Sequence, residues 1–366
     1  MELSVVYDYL IVGSGLFGSI FARQMTDRGA KCIVVDKRSH IGGNCYTTNN
    51  QGIHVHQYGP HIFHTNSTRI WEYMNKWTEF NHFVFRPKVI HKNALYSFPI
   101  NMMTLYQLWG TKTPQEAETK LKEVRVRIDN PQNLEEWILA QVGEEIYQKF
   151  IYGYTKKQWN RDPKYLPSSI IKRLPIRLTY DDNYFNDRYQ GIPVDGYTSI
   201  FEKLLKGIPI ETGVDYLKDR HKWDSMAKKV VYTGAIDEFF DCDLGNLEWR
   251  SLRFEHEVLP ISDYQGNAVI NYTEDAVPYT RICEHKHFNF GKQEHTVITR
   301  EYPQDWNPSK EKFYSVNDEN NNSLFQRYKQ RIDQSKYIFG GRLADYIYYD
   351  MHQVVGSALS KSEKEV

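Results

Sequence analysis

Gly13-Ser14-Gly15-Leu16-Phe17-Gly18 is the first group of residues able to do chemistry. Glycines spaced this way between a strand and a helix let backbone amides approach a pyrophosphate, whose charge meets the helix N-terminus. Gly13 permits the tight turn, Gly15 the close approach, and Gly18 the packing of helix on strand. Asp36 ends the next strand 18 residues after Gly18, where a carboxylate can accept from ribose hydroxyls and would repel a 2′-phosphate. The chain also carries 27 Tyr and 8 Trp, more than packing requires, and their half-apolar rings suit sugar and base. His61 and His64 stand three apart, yet no Cys, Asp or Glu at ligand spacing completes a set, so no metal is expected.

The elements that must position these groups follow from periodicity. Tyr7 to Val12, a helix from Ser19 to Arg28 and the strand Lys31 to Asp36 form a βαβ unit. Helical patterns run over Trp71 to Phe83, Thr113 to Lys122 and, most clearly, Asn133 to Ile151, where Leu134, Trp137, Ile138, Val142, Ile146 and Phe150 share a face. Prolines at 163, 167 and 175 break the Tyr-rich passage from Asp162 to Pro193, a composition usual in functional loops. Lys229 to Ala235 and Tyr337 to Arg342 look like further buried strands, and Ser251 to Arg300 alternates like antiparallel ones. The expected fold class is α/β: a Rossmann-like dinucleotide domain from residues 1–66, 195–245 and 315–366, a mainly helical part with a mobile loop at 101–185, and an antiparallel β-sheet part from 67–100 and 246–314.

Composition narrows the partners. The 46 basic and 46 acidic side chains cancel, which leaves no field to hold nucleic acid or an anionic membrane. Cys32, Cys45, Cys242 and Cys283 lack the spacing of a zinc site or a disulfide framework, consistent with a reducing cytoplasm. No apolar run is long enough to span a bilayer.

After Asp36, the run Lys37-Arg38-Ser39-His40-Ile41-Gly42-Gly43-Asn44 resembles the extension found in the FAD-binding family of amine oxidases, phytoene desaturases and UDP-galactopyranose mutases. Tyr232-Thr233-Gly234 and Gly340-Gly341-Arg342 resemble two further flavin-contacting segments of that group. Gly59 to Thr65, Gly153 to Trp159, Arg173-Leu174-Pro175, Tyr180 to Phe185, Pro278 to Arg281 and Gly341 to Leu343 look like the bacterial UDP-galactopyranose mutase family, in its order, over residues 7–358. The resemblance implies FAD held by Gly13, Gly15, Leu16, Phe17, Gly18, Asp36, Lys37, Gly43, Asn44, His61, Ile62, Gly234, Gly341, Arg342, Asp350 and Met351. It implies that Phe150 and Tyr154 flank a uracil bonded by Gln158, with Thr155 beside them and Trp159 on the galactose. Arg173 and Arg281 would neutralise the diphosphate, helped by Tyr184, Tyr314 and Tyr348, with His64 near the flavin.

The family's reaction would interconvert UDP-galactopyranose and UDP-galactofuranose through a covalent adduct between sugar and N5 of reduced FAD, without net redox change. An external reductant such as NAD(P)H, a cytoplasmic homodimer and a role in cell-wall polysaccharide follow from the same resemblance. A mutase for UDP-N-acetylgalactosamine or UDP-arabinopyranose, an amine-oxidase-like oxidoreductase and a silent nucleotide-binding scaffold are the alternatives. Phe85, before Arg86, stands where some bacterial members carry a polar residue near the substrate, which leaves the sugar preference open.

Overall fold

A computed structural model describes residues 6–172 and 174–365. Its centre is a five-stranded parallel sheet in the order Tyr337–Phe339, Ala227–Tyr232, Tyr7–Val12, Cys32–Asp36, Ile210–Thr212. The inner strands are short, and their apolar stretches, residues 10–12, 32–35 and 230–232, are covered on both faces. Ile11, Val34 and Val231 meet Phe17, Ile20 and Phe21 of the Leu16–Asp27 helix and Val355 of the Met351–Glu363 helix. Their neighbours Leu10, Ile33, Val35 and Val230 point the other way, toward Trp223, Phe239 and Tyr328. The alternation is the period-two geometry of a strand used twice over.

A second sheet has seven strands: Tyr314–Ser315, Trp249–Leu259, Thr296–Asp305, Arg281–Glu284, Val269–Tyr272, Lys88–His91 and Ala94–Ser97. It is antiparallel, as expected, except where Val269–Tyr272 pairs in parallel with Lys88–His91.

Two helices end earlier than their periodicity suggests. The expected helix from Trp71 to Phe83 is observed as Thr68–Asn75. Beyond it, the Asn81 carboxamide oxygen accepts from the amides of Phe83 and Ile192, both at 3.0 Å, and its nitrogen donates to Phe288 O, so this backbone finds its partners outside a helix. The Asn133–Ile151 stretch divides into Leu134–Ile146 and a π-helical turn, Tyr147–Tyr152, followed by the helix Gly153–Trp159. Gly143 sits at φ 77° in a position where a Cβ would lie 2.3 Å from Val124 O. The close approach of the Pro114–Val124 helix therefore breaks the ladder there. Among the described residues no helix is long and apolar enough to cross a membrane.

Candidate functional site

One cavity of about 740 Å³ runs from the glycine turn to the second sheet and the Gly153–Trp159 helix, large for a ligand site. At one end the Leu16–Asp27 helix starts at Gly15 without a side-chain cap or an acidic residue in its first turn, leaving its amides to meet an anion. Gly13 holds φ 103°, and a Cβ there would fall 2.0 Å from Thr233 Oγ1, so only glycine fits. Gly15, Leu16, Phe17, Gly18, Gly43, Asn44, Gly234 and Gly341 line the same end.

Asp36 faces this cradle, and it is already engaged. Its carboxylate accepts from Ser14 N at 2.7 Å, Ser14 Oγ at 2.6 Å and Arg38 N at 2.9 Å, which locks the two glycine-bearing loops together. Of its roughly four lone-pair sites, about one remains for a ribose hydroxyl. Lys37 is on the rim, 75% exposed, paired with Asp215 at 3.4 Å. Its neighbour Arg38 turns inward, over the Tyr58 ring at 4.2 Å and donating to Asn44 Oδ1 at 2.9 Å.

At the other end the second sheet supplies a row. Asn271 lies directly opposite Arg281, and Arg281 directly opposite Glu301, so three side chains from adjacent strands face the cavity together. Arg281 Nη2 lies 3.2 Å from Glu301 Oε1 and donates to the Tyr154 hydroxyl at 3.1 Å. Burial disfavours the guanidinium charge, but Glu301, Tyr154 and Tyr314 outweigh it and hold the pKa well above the usual arginine value. Glu301 is 2% exposed, and burial pushes its carboxyl up while Arg281 pulls it back. Among the described residues, Arg281 Nε, Arg342 Nε and the Gln158 carboxamide oxygen are buried without a hydrogen-bond partner. Arg342 donates to Phe313 O at 3.0 Å and lies over the Tyr348 ring at 4.8 Å.

Phe150, Tyr154, Thr155, Gln158 and Trp159 line the cavity from the π turn and the helix after it. Tyr314 stands between Trp159 and Tyr348, with ring centroids 6.4 and 5.2 Å away, and burial pushes the Tyr154 hydroxyl up to about 12. Tyr184, Asp350 and Met351 also line it. His61, Ile62 and His64 contribute from the segment entering the Phe63–Thr65 strand, and burial holds His61 down to about 4, a neutral ring whose Nδ1 contacts Gly59 O at 2.8 Å. His64 Nδ1 pairs with Asp187, and its ring stacks on Phe185 at 3.6 Å. Arg173 lies outside the described residues.

Glu301, Asn271 and Asp187 were not singled out from the sequence. The signal for Glu301 was the alternation of Thr299-Arg300-Glu301-Tyr302, but which of Arg300 and Glu301 faces inward depends on register.

The fold and cavity define an α/β protein of the Rossmann-like, dinucleotide-binding kind, with an arginine in the lining of its cavity. The family model described as UDP-galactopyranose mutase matches residues 149–348, and that of an NAD(P)-binding Rossmann-like domain matches residues 11–77. The chain is 39% identical to a dTDP-fucopyranose mutase of Escherichia coli, over 96% of each chain. It is 38% identical to a probable UDP-galactopyranose mutase of Klebsiella pneumoniae, over 97% of this chain and 94% of that one. A crystal structure of reduced UDP-galactopyranose mutase superposes with TM-score 0.76 at 13% identity, covering 98% of this chain and 94% of that one, which shows the shared fold. The chain belongs to the UDP-galactopyranose mutase family, a family of isomerases.

Proposed function

We propose that the protein interconverts the pyranose and furanose forms of a nucleoside-diphosphate hexose, as in UDP-galactopyranose mutase, with FAD in its reduced form. The observation that carries this reading is Arg281, whose side chain is one-fifth exposed (20%) and lines the same cavity as the uncapped helix N-terminus. The residues present fit FAD: the glycine turn, the helix amides and Arg342 would hold its pyrophosphate, Asp36 a ribose hydroxyl, and the backbone after Arg342 the flavin half. The chemistry that FAD supplies when bound and reduced is a nucleophilic flavin nitrogen for the anomeric carbon.

The chain's own residues do the rest. Arg281, held by Glu301 and Tyr154, stabilises charge that gathers on the diphosphate as the anomeric bond breaks. Arg173 is assigned the same task from the sequence. Phe150, Tyr154 and Gln158 receive the base, and Trp159 packs on the sugar. Asp187 fixes the His64 ring against Phe185, which keeps that side of the cavity dry. NAD(P)H as reductant, a cytoplasmic homodimer, and the division of the chain into a cofactor part, a helical part and a sheet part belong to this reading.

The test is purification of the protein with FAD, followed by chromatography of UDP-galactofuranose incubated with and without dithionite. Conversion only after reduction is expected. Equal conversion without reduction, or a protein that stays colourless after FAD is added, refutes the reading.

A further inference from the structure

One part of the cavity lining is dominated by aromatic carbon. Phe85, 8% exposed, has its ring 5.3 Å from that of Tyr184 and 5.8 Å from that of Phe185, and Phe185 in turn lies on His64. Ile62, Phe83 and Val269 back the same wall. The backbone groups of Phe85 are engaged within the chain: Phe85 N donates to Gln190 Oε1 at 3.2 Å and Phe85 O accepts from Tyr184 N at 2.8 Å, while His64 Nδ1 pairs with Asp187.

The place of this wall follows from the strands. Phe85 leads into Lys88–His91, whose Val89 lies opposite Asn271, itself opposite Arg281. Through Phe185 the wall also reaches His64, on the side of the cofactor cradle. It therefore lines the same cavity as Arg281 and the cofactor cradle, in which the hexose must lie.

A hexose of the galactose type carries hydroxyls on C2, C3 and C4 and a hydroxymethyl on C5. Asn271 and the tyrosines give the cavity polar groups for ring hydroxyls, whereas the Phe85 and Phe185 rings offer none to a fourth. We propose that this chain prefers nucleoside-diphosphate 6-deoxyhexoses, whose C5 methyl packs on Phe85 and Phe185, over hexoses bearing the hydroxymethyl. The inference rests on the mutase reading above. Identities of 39% and 38% with relatives named for each kind of sugar do not separate the two, and the wall does.

The experiment measures kcat/KM of the dithionite-reduced holoenzyme with four donors: UDP-galactopyranose, dTDP-galactopyranose, UDP-fucopyranose and dTDP-fucopyranose. Both fucosyl donors should exceed their galactosyl counterparts by about 10- to 100-fold, the discrimination an apolar pocket achieves against one added hydroxyl. Phe85→Asn should bring that ratio to within about threefold by raising galactosyl turnover, and Phe85→Leu should keep it. Should Phe85→Asn lose its flavin or fold, the parent ratios and Phe85→Leu decide. Equal or better turnover of both galactosyl donors, or a preference that follows the nucleotide alone, overturns the proposal. Failure of all four donors with reduced flavin bound overturns the mutase reading itself, and this inference with it.

Discussion

Arg281→Ala separates what the arginine does for the fold from what it does for the reaction. In the folded chain its Nη2 faces Glu301 Oε1 at 3.2 Å and the Tyr154 hydroxyl at 3.1 Å. Deleting one partner of a buried pair costs about 3–5 kcal/mol when the other stays charged. Burial already pushes the Glu301 carboxyl up, which eases the charge left behind, so the loss falls at the lower end, about 3 kcal/mol. Removing the arginine also removes the charge that meets the leaving diphosphate. An arginine acting on developing phosphate charge contributes about 10³-fold or more, so kcat/KM should fall by about 10³, or roughly 4 kcal/mol. The double variant Arg281→Ala/Glu301→Gln distinguishes the two effects, because it removes the orphaned carboxylate and restores no cation. Urea unfolding should show the double variant regaining most of the lost stability, visible absorbance should show flavin retained, and chromatography after dithionite should show turnover still lost. Turnover of the double variant within about tenfold of the parent would refute the diphosphate role. So would loss of flavin under conditions that saturate the parent, since it would place Arg281 in the cofactor site.

Three other perturbations test the supporting geometry. Gly13→Ala forces a Cβ to 2.0 Å from Thr233 Oγ1 at φ 103°; FAD affinity should fall by about 10- to 100-fold, read by titrating apoprotein with FAD and following flavin fluorescence. Gly153→Val puts a Cβ 2.1 Å from Thr273 O and displaces the helix bearing Tyr154 and Gln158; kcat/KM should fall about 10²-fold with the flavin spectrum unchanged. Glu284 is wholly buried, and although burial raises its pKa, His287, Thr296 and the amides of Tyr264 and Gln265 bring it to about 2 from 4.5. A folded pKa below the unfolded one stabilises above pH 4.5 by about 3 kcal/mol, a contribution lost as pH falls toward 2. Urea midpoints between pH 6 and 3 should therefore fall more steeply for the parent than for Glu284→Gln, and parallel curves would refute the assignment.

The strands Tyr7–Val12 and Cys32–Asp36 were legible because burial on both faces leaves an unbroken apolar run, and the glycines between strand and helix announced their turn. Glu301 was not, since a polar residue on an alternating strand declares a face only once its partner is known, and that partner, Arg281, is 20 residues away in sequence. Phe85 was visible as a departure, but its consequence depends on Tyr184 and Phe185, brought to it from a distant loop.

The least legible feature is the π turn Tyr147–Tyr152, which contains neither glycine nor proline to announce it. Its cause lies in the second sheet: Thr273 Oγ1 donates to Lys149 O, and a side chain entering the ladder this way opens a helix. The Lys157 ammonium then donates to the carbonyls of Tyr272, Val277 and Tyr279 at 2.8, 3.0 and 3.0 Å, binding the next helix to the same strand end, and burial lowers its pKa to about 8. The wider spacing retards the phase of the helix. Ile146, before the turn, points into the helical core; Phe150, within it, serves both core and cavity; Tyr154, Thr155, Gln158 and Trp159, beyond it, line the cavity. A helix of uniform pitch would have carried the core stripe onward past Phe150, so the sheet that presents Arg281 also sets the phase that brings the aromatic face to meet it.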